Sequence, residues 1–144
     1  MADQTVRTYD PKKVIITFGS VMFSGFASGS FIKLTQNGDS FEKIKGADGG
    51  IDRVNKNARD YSVSVTLKRT SQTNDLLSAI SIADKAANSG ILPLAIKDLN
   101  GTSLFFAESA WIKKDPDAEE SDSMPNREWA FDTGIATNFI GGSL

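Results

Sequence analysis

Apolar residues along the chain fall mostly into short runs with a period of two, which predicts a strand-rich protein. The clearest case is Tyr61, Val63, Val65 and Leu67 alternating with Ser62, Ser64, Thr66 and Lys68. That spacing gives one dry face and one wet face over eight residues. Val14, Ile15, Ile16 and Phe18 form a β-branched run that follows Pro11 and breaks at Gly19. Val21 to Phe31 is apolar but interrupted by Gly25 and Gly29, which predicts a bent strand or a bulge. Phe31 to Gln36 and Ser40 to Lys45 flank Asn37-Gly38, a pair suited to the two positive-φ positions of a type I′ turn, so a hairpin is expected there. Leu92, Leu94 and Ile96 lead through Asn100-Gly101 into Ser103 to Ile112, a second expected hairpin. Arg127 to Asp132 and Ile135 to Ile140, broken at Gly134, complete the strand material.

One segment has the helical period instead. Leu76, Leu77, Ile80, Ala83 and Ala87 recur at helical spacing, with Thr73 or Asn74 as the expected N-cap and Gly90 as the stop. Its single apolar stripe predicts a helix lying on the edge or face of a sheet. The expected fold class is mainly β: an antiparallel sandwich or partly closed barrel with one packed α-helix, forming a single domain over residues 1–144. Two stretches, 46–60 and 113–127, read as long loops. Loops of that length in a small domain are usually functional, and in an assembling protein they serve as arms that order against a neighbour. The alternative is mobile surface.

Composition then narrows the chemistry. With 144 residues, 40% apolar and 24% charged, the chain can bury a core without disulfides. It contains neither cysteine nor histidine. That removes thiolate and imidazole zinc sites, nucleophile–histidine catalysis and the commonest general base, leaving carboxylate, lysine or tyrosine chemistry. No apolar stretch is long enough to span a bilayer, and residues 1–10 are polar and mixed in charge rather than signal-like. No enzymatic activity, metal or cofactor is expected.

Residues 1–69 hold eleven Lys/Arg against seven Asp/Glu, a balance of +4, whereas residues 70–144 hold five against eleven, a balance of −6; the sum is the whole-chain −2. A grip on duplex DNA normally needs a basic surplus, which this chain lacks. The asymmetry suits a subunit whose one surface meets a different surface of its neighbour; a solvated mixed-charge surface is the alternative. The stretch 113–126 contributes Asp115, Asp117, Glu119, Glu120 and Asp122 with no basic residue between them.

Several motifs invite catalytic or ligand-binding readings and fail on inspection. Asp132-Thr133-Gly134 matches the aspartic-protease triplet, but one copy needs a symmetric partner and the same residues describe a strand ending in a glycine turn. Asp48 and Asp52 fit positions one and five of a calcium loop, yet position twelve is Arg59 where a carboxylate is required. Trp111 and Trp129 read as core or interface anchors more readily than as stacking platforms.

Motifs spread along nearly the whole chain carry a resemblance. They are Tyr9-Asp10-Pro11-Lys12, Gly25-Phe26-Ala27 with Gly29 and Phe31-Ile32, Gly46-Ala47-Asp48-Gly49 followed by Arg53, and Ser71 with Asn74. Leu92-Pro93, Lys97-Asp98, Gly101-Thr102, Ala110-Trp111-Ile112, Arg127-Glu128-Trp129 and Gly141-Gly142 continue the series. In this order they resemble tail tube proteins of contractile-tailed bacteriophages. The resemblance implies hexameric rings whose strands join into one β-barrel around a lumen, stacked into a tube inside a sheath. It also implies sheath, baseplate and terminator proteins as partners, double-stranded DNA passing without sequence-specific binding, no membrane insertion by this chain, and a place in the virion after assembly in the host cytoplasm. A baseplate or terminator ring, or a secretion-system tube, would share the fold. On that reading Ser62, Ser64, Thr66 and Lys68 are candidate lumen-facing residues. Asp48, Ile51, Arg53, Arg59, Asp115, Asp117, Glu119, Glu120, Asp122 and Arg127 are candidates for inter-subunit or inter-ring contact.

Overall fold

The computed structural model describes residues 6, 8–29 and 31–142. A single 3-10 turn, Pro11–Lys13, capped by the Asp10 carboxylate on the Lys12 N–H, feeds β1 (Val14–Phe18). There follow β2 (Val21–Met22), β3 (Ile32–Gln36), β4 (Phe41–Lys45), β5 (Ile51–Asn55), β6 (Tyr61–Leu67), helix α1 (Thr73–Ala87), β7 (Leu92–Asp98), β8 (Leu104–Lys114), β9 (Arg127–Thr133) and β10 (Ala136–Phe139). The main sheet runs β2-β1-β7-β8-β9-β6-β3, with β10 also on β8, and all pairings are antiparallel.

The sheet folds over itself at β8. The first part of this eleven-residue strand pairs with β7 and β10; from Ala110 onward it pairs with β9. Strands β9 and β10 are one long strand broken at Gly134, as the sequence predicts, so they follow β8 from one layer into the other. One layer contains β3, β6, β9 and the end of β8. The other contains β10, the start of β8, β7, β1 and β2. Between them lies the core of Ile16, Phe18, Val63, Val65, Leu67, Leu94, Phe105, Trp129 and Phe131. Phe18 meets Phe131 edge-on at 5.2 Å between centroids, and Tyr61 meets Phe105 at 5.3 Å, so aromatic pairs bridge the layers. The fold is therefore a mainly antiparallel β-sandwich with one helix. The sheet does not close into a barrel within the chain, because β2 and β3 are its ends.

The expected hairpin across Asn37-Gly38 does not form. Strand β3 pairs with β6, and β4 pairs with β5. A type I′ turn needs positive φ at both central residues, but only Gly38 adopts it, at 98°. Asn37 instead extends the β3–β6 ladder: its N–H donates to the Asp60 carbonyl and its side-chain amide to the Asp60 carboxylate. The hairpin across Asn100-Gly101 does form, as β7 on β8.

Residues 46–60 are likewise not a loop. The turn Gly46–Gly50 closes a two-stranded hairpin of β4 and β5, with Gly49 at φ 87° and Asp48 accepting the Gly50 N–H. Among the described residues, the segment Val21 to Phe31 holds the two residues of β2, then an irregular crossing tied to β6 by a bridge between Phe26 and Leu67 and to the start of α1 through Ser24. Helix α1 begins after Gln72, not Thr73 or Asn74. Thr73 is already inside the helix, its N–H bonded to Ser71 Oγ, and Asn74 donates back to the Lys68 and Ser71 carbonyls. Asn88, at φ 54°, is the left-handed cap, ahead of the expected Gly90. The buried stripe is Thr73, Leu77 and Ser81 with Ile80 beside it, whereas Leu76, Ala83 and Ala87 face outward. The helix touches the sandwich along β2, which is why one narrow stripe suffices.

Candidate assembly surfaces

The wet face of the β3–β6–β9 layer is built by register. Ser62 lies opposite Thr35 and Asp132, Ser64 opposite Lys33 and Ala130, and Thr66 opposite Glu128. Cross-strand partners point to the same side, so the alternation of β6 extends over three strands as a polar field carrying both signs of charge. Ser62 Oγ bonds Asn37 Oδ1 and Asp132 Oδ1 at 2.9 and 3.2 Å. Of the candidate lumen residues, Ser62, Ser64 and Thr66 therefore share one face, and Lys68 is exposed just beyond the end of β6. The sequence reading missed Lys33, Thr35, Glu128 and Asp132 there, because sharing a face depends on pairing. Asp132 is tied to Ser62, and Thr133 Oγ1 accepts the Tyr61 N–H while donating to the Gly134 carbonyl, so the triplet forms a strand end.

Both margins of this layer are open. Asn37 donates to Asp60 and Phe31 accepts from Thr66. Bonding alternates along an antiparallel pair, so the N–H groups of Ile32, Leu34 and Gln36 point away from β6. At the opposite margin, β7 stops pairing at Leu92 opposite Ala110, leaving Trp111 to Lys114 of β8 with β9 on one side alone. Unpaired edges of this kind are templates for another strand. The outward face of the other layer is more apolar, exposing Met22, Leu104, Phe106 and Phe139.

Among the described residues the β4–β5 hairpin has no backing layer: every one of its strand residues is exposed. Phe41 is 47% accessible, Ile44 48%, Ile51 63% and Val54 43%. Register assigns Phe41, Lys43, Lys45, Ile51 and Arg53 to one face, with the Arg53 guanidinium 4.1 Å from the Phe41 ring centre. Glu42, Ile44, Asp52 and Val54 take the other, where Glu42 pairs with Lys56 at 2.9 Å. Of the candidate contact residues, Ile51 and Arg53 share the basic face, Asp48 closes the turn, and Arg59 sits at the root, its carbonyl accepting the Ala136 N–H.

The acidic loop is partly held within its own subunit. Asp115 accepts from Ser81 Oγ at 2.6 Å and Lys85 Nζ at 2.7 Å. The Lys85 hydrogen bond, then that of Ser81, holds the Asp115 carboxyl below the ordinary carboxylate range. Arg69 bonds the Glu119 carbonyl and the Glu120 carboxylate, and Arg127 reaches the Asp117 carbonyl. Asp117 lies 3.8 Å from Lys114, while Glu119 and Asp122 make no ion pair among the described residues. Beneath the loop, Arg69, Ser71, Asn74, Arg127 and Trp129 line an open cleft of about 400 Å³. Trp129 is 2% accessible and donates its indole N–H to Asn74 Oδ1 at 2.9 Å, which makes it a core anchor. No cluster of metal-ligating residues occurs among the described residues, and no helix among them is long and apolar enough to cross a membrane.

The sandwich has open margins and a free hairpin, and comparison with known proteins gives its class. The model of the bacteriophage PhiTE tail tube protein family matches residues 14–141. Structural protein ORF10 of Pseudomonas phage KPP10 is 31% identical over 151 residues, covering 99% of this chain and 87% of that protein. In fold, the chain is similar to a component of the virion of a native gene transfer agent particle, with TM-score 0.64, 10% identity, and coverage of 92% of this chain and all (100%) of that one. It is also similar to the sheath/tube terminator of the extracellular contractile injection system PVC, with TM-score 0.60, 12% identity, and coverage of 94% and 99%. The protein is a virion structural component of the phage tail-tube class. It belongs to the family of bacteriophage PhiTE tail tube proteins, a structural family and not a class of enzymes.

Proposed function

We propose that six copies join into a ring, that rings stack into a tube, and that the lumen conducts DNA into the host. One observation carries this reading: the polar β3–β6–β9 layer has an unpaired edge on each side, β3 and the end of β8. Pairing β3 of one subunit with the β8 end of the next would extend the layer around a ring and remove both edges. The face with Ser62, Ser64 and Thr66 would then line the lumen, where hydroxyls and balanced charge wet DNA without holding it. The apolar outer face around Leu104, Phe106 and Phe139 would turn outward, available to a sheath. Baseplate and terminator proteins would meet the two ends of the stack.

Electron microscopy of the purified protein tests this. Six-fold rings or hollow tubes are expected, and a dispersed monomer at high concentration would sink the proposal. A second reading, a ring that caps a tube, is favoured by fold likeness to the terminating cap of the anti-feeding prophage tube, at TM-score 0.60 and 11% identity. Single rings that never stack would support it instead.

A further inference from the structure

The free hairpin and the acidic loop lie at opposite ends of the same layer. Strand β6 runs from Tyr61, beside the hairpin root at Asp60, to Leu67, which is paired with Arg127 directly after the loop. Its seven residues set these two features about 20 Å apart along the strand direction.

The hairpin carries an internal conflict. Lys43 and Arg53 are directly opposite one another, with Lys45 on the same face, and none of the three makes an ion pair among the described residues. Like charges in directly opposed positions destabilise a strand pair, and a two-stranded hairpin without a backing layer is marginal in water. A surface that presents carboxylates removes the repulsion and shields Phe41 and Ile51. The chain itself supplies such a surface at its other end, where Asp117, Glu119 and Asp122 have at most a 3.8 Å partner.

We infer that the basic face of the hairpin, built by Lys43, Lys45 and Arg53, docks on the acidic loop 115–122 of a second copy in the adjacent ring. The inference rests on the stacked-ring reading. Because each subunit has the hairpin at one end and the loop at the other, the contact is heterologous and repeats along the stack. Asp115 and Glu120 hold the loop to helix α1 and Arg69 in their own subunit, which leaves Asp117, Glu119 and Asp122 for the neighbour.

A charge-exchange experiment on the full chain tests it. Lys43→Glu with Arg53→Glu should preserve six-fold rings but raise the concentration needed for tube growth roughly tenfold or more, since exposed pairs contribute about threefold each. Glu119→Lys with Asp122→Lys should do the same. Combining all four changes in one chain should restore tubes, with the same loss at high salt as the wild type. Thermal melting checks that each variant folds, and Lys43→Gln with Arg53→Gln provides a milder version for any that does not. Tubes of normal length from either reversed variant would overturn the inference while leaving the ring reading intact. So would failure of the fourfold variant to recover, which would point the hairpin at DNA, sheath or another surface. Wild-type protein that forms no rings overturns the ring reading itself.

Discussion

At the scale of single residues, Asp115 shows how the loop is tethered. Its carboxylate receives a lysine and a serine from α1, and the Lys85 bond is the larger cause of its lowered pKa. A carboxyl depressed in the folded state contributes stability that is complete above its unfolded value of about 3.9 and is lost as pH falls through the lower folded value. Asp115→Asn should thus mimic acid. We expect cleavage by an added protease within 115–126 to rise, while global stability drops by no more than about 1 kcal/mol because the pair is largely exposed. The difference between variant and wild type should vanish in acid below the ordinary carboxylate range. A difference that persists there would contradict the tether.

At the scale of elements, the edge of β3 is separable from its interior. Gln36 directs its N–H away from β6, so Gln36→Pro removes a donor that no strand among the described residues uses. The monomer should melt within a few degrees of wild type, while ring formation, followed by sedimentation velocity, should be reduced. Equal ring formation would exclude β3 as a joining edge. Elements also show what the sequence conveyed and what it withheld. Strand β6 was legible because one face is core and the other is water, so burial wrote a period of two. Strand β4 was expected over Ser40 to Lys45 but with the wrong partner, because its true partner, β5, was hidden for the opposite reason. Phe41 and Ile51 lie on one face, Ile44 and Val54 on the other, and two half-apolar exposed faces leave no alternation to read. The Asn37-Gly38 pair misled because its local turn preference is weaker than the continued ladder to Asp60. In the candidate site, the β6 triad was visible from spacing, but Lys33, Glu128 and Asp132 joined it only through register.

At the scale of the whole molecule, the proposed assembly would couple to stability. Copies that bind the folded form shift its unfolding to higher temperature as concentration rises. The wild type should therefore melt later at higher concentration and grow tubes, whereas a chain with residues 39–58 replaced by a short turn should stop at rings and gain less from concentration. That chain keeps the sandwich core, since no hairpin residue belongs to it. Tubes grown by the shortened chain would mean that the hairpin is not the main stacking contact.

The unbacked hairpin bears on when growth begins. Fixing a residue from a loose ensemble costs about 1–2 kcal/mol in backbone entropy, and two free subunits meeting in solution must both meet that cost for one contact. A subunit arriving at a finished layer finds the receiving side already rigid. On the stacked-ring proposal, starting a new stack should thus be slower than extending one, so tubes would grow first from a platform already in place.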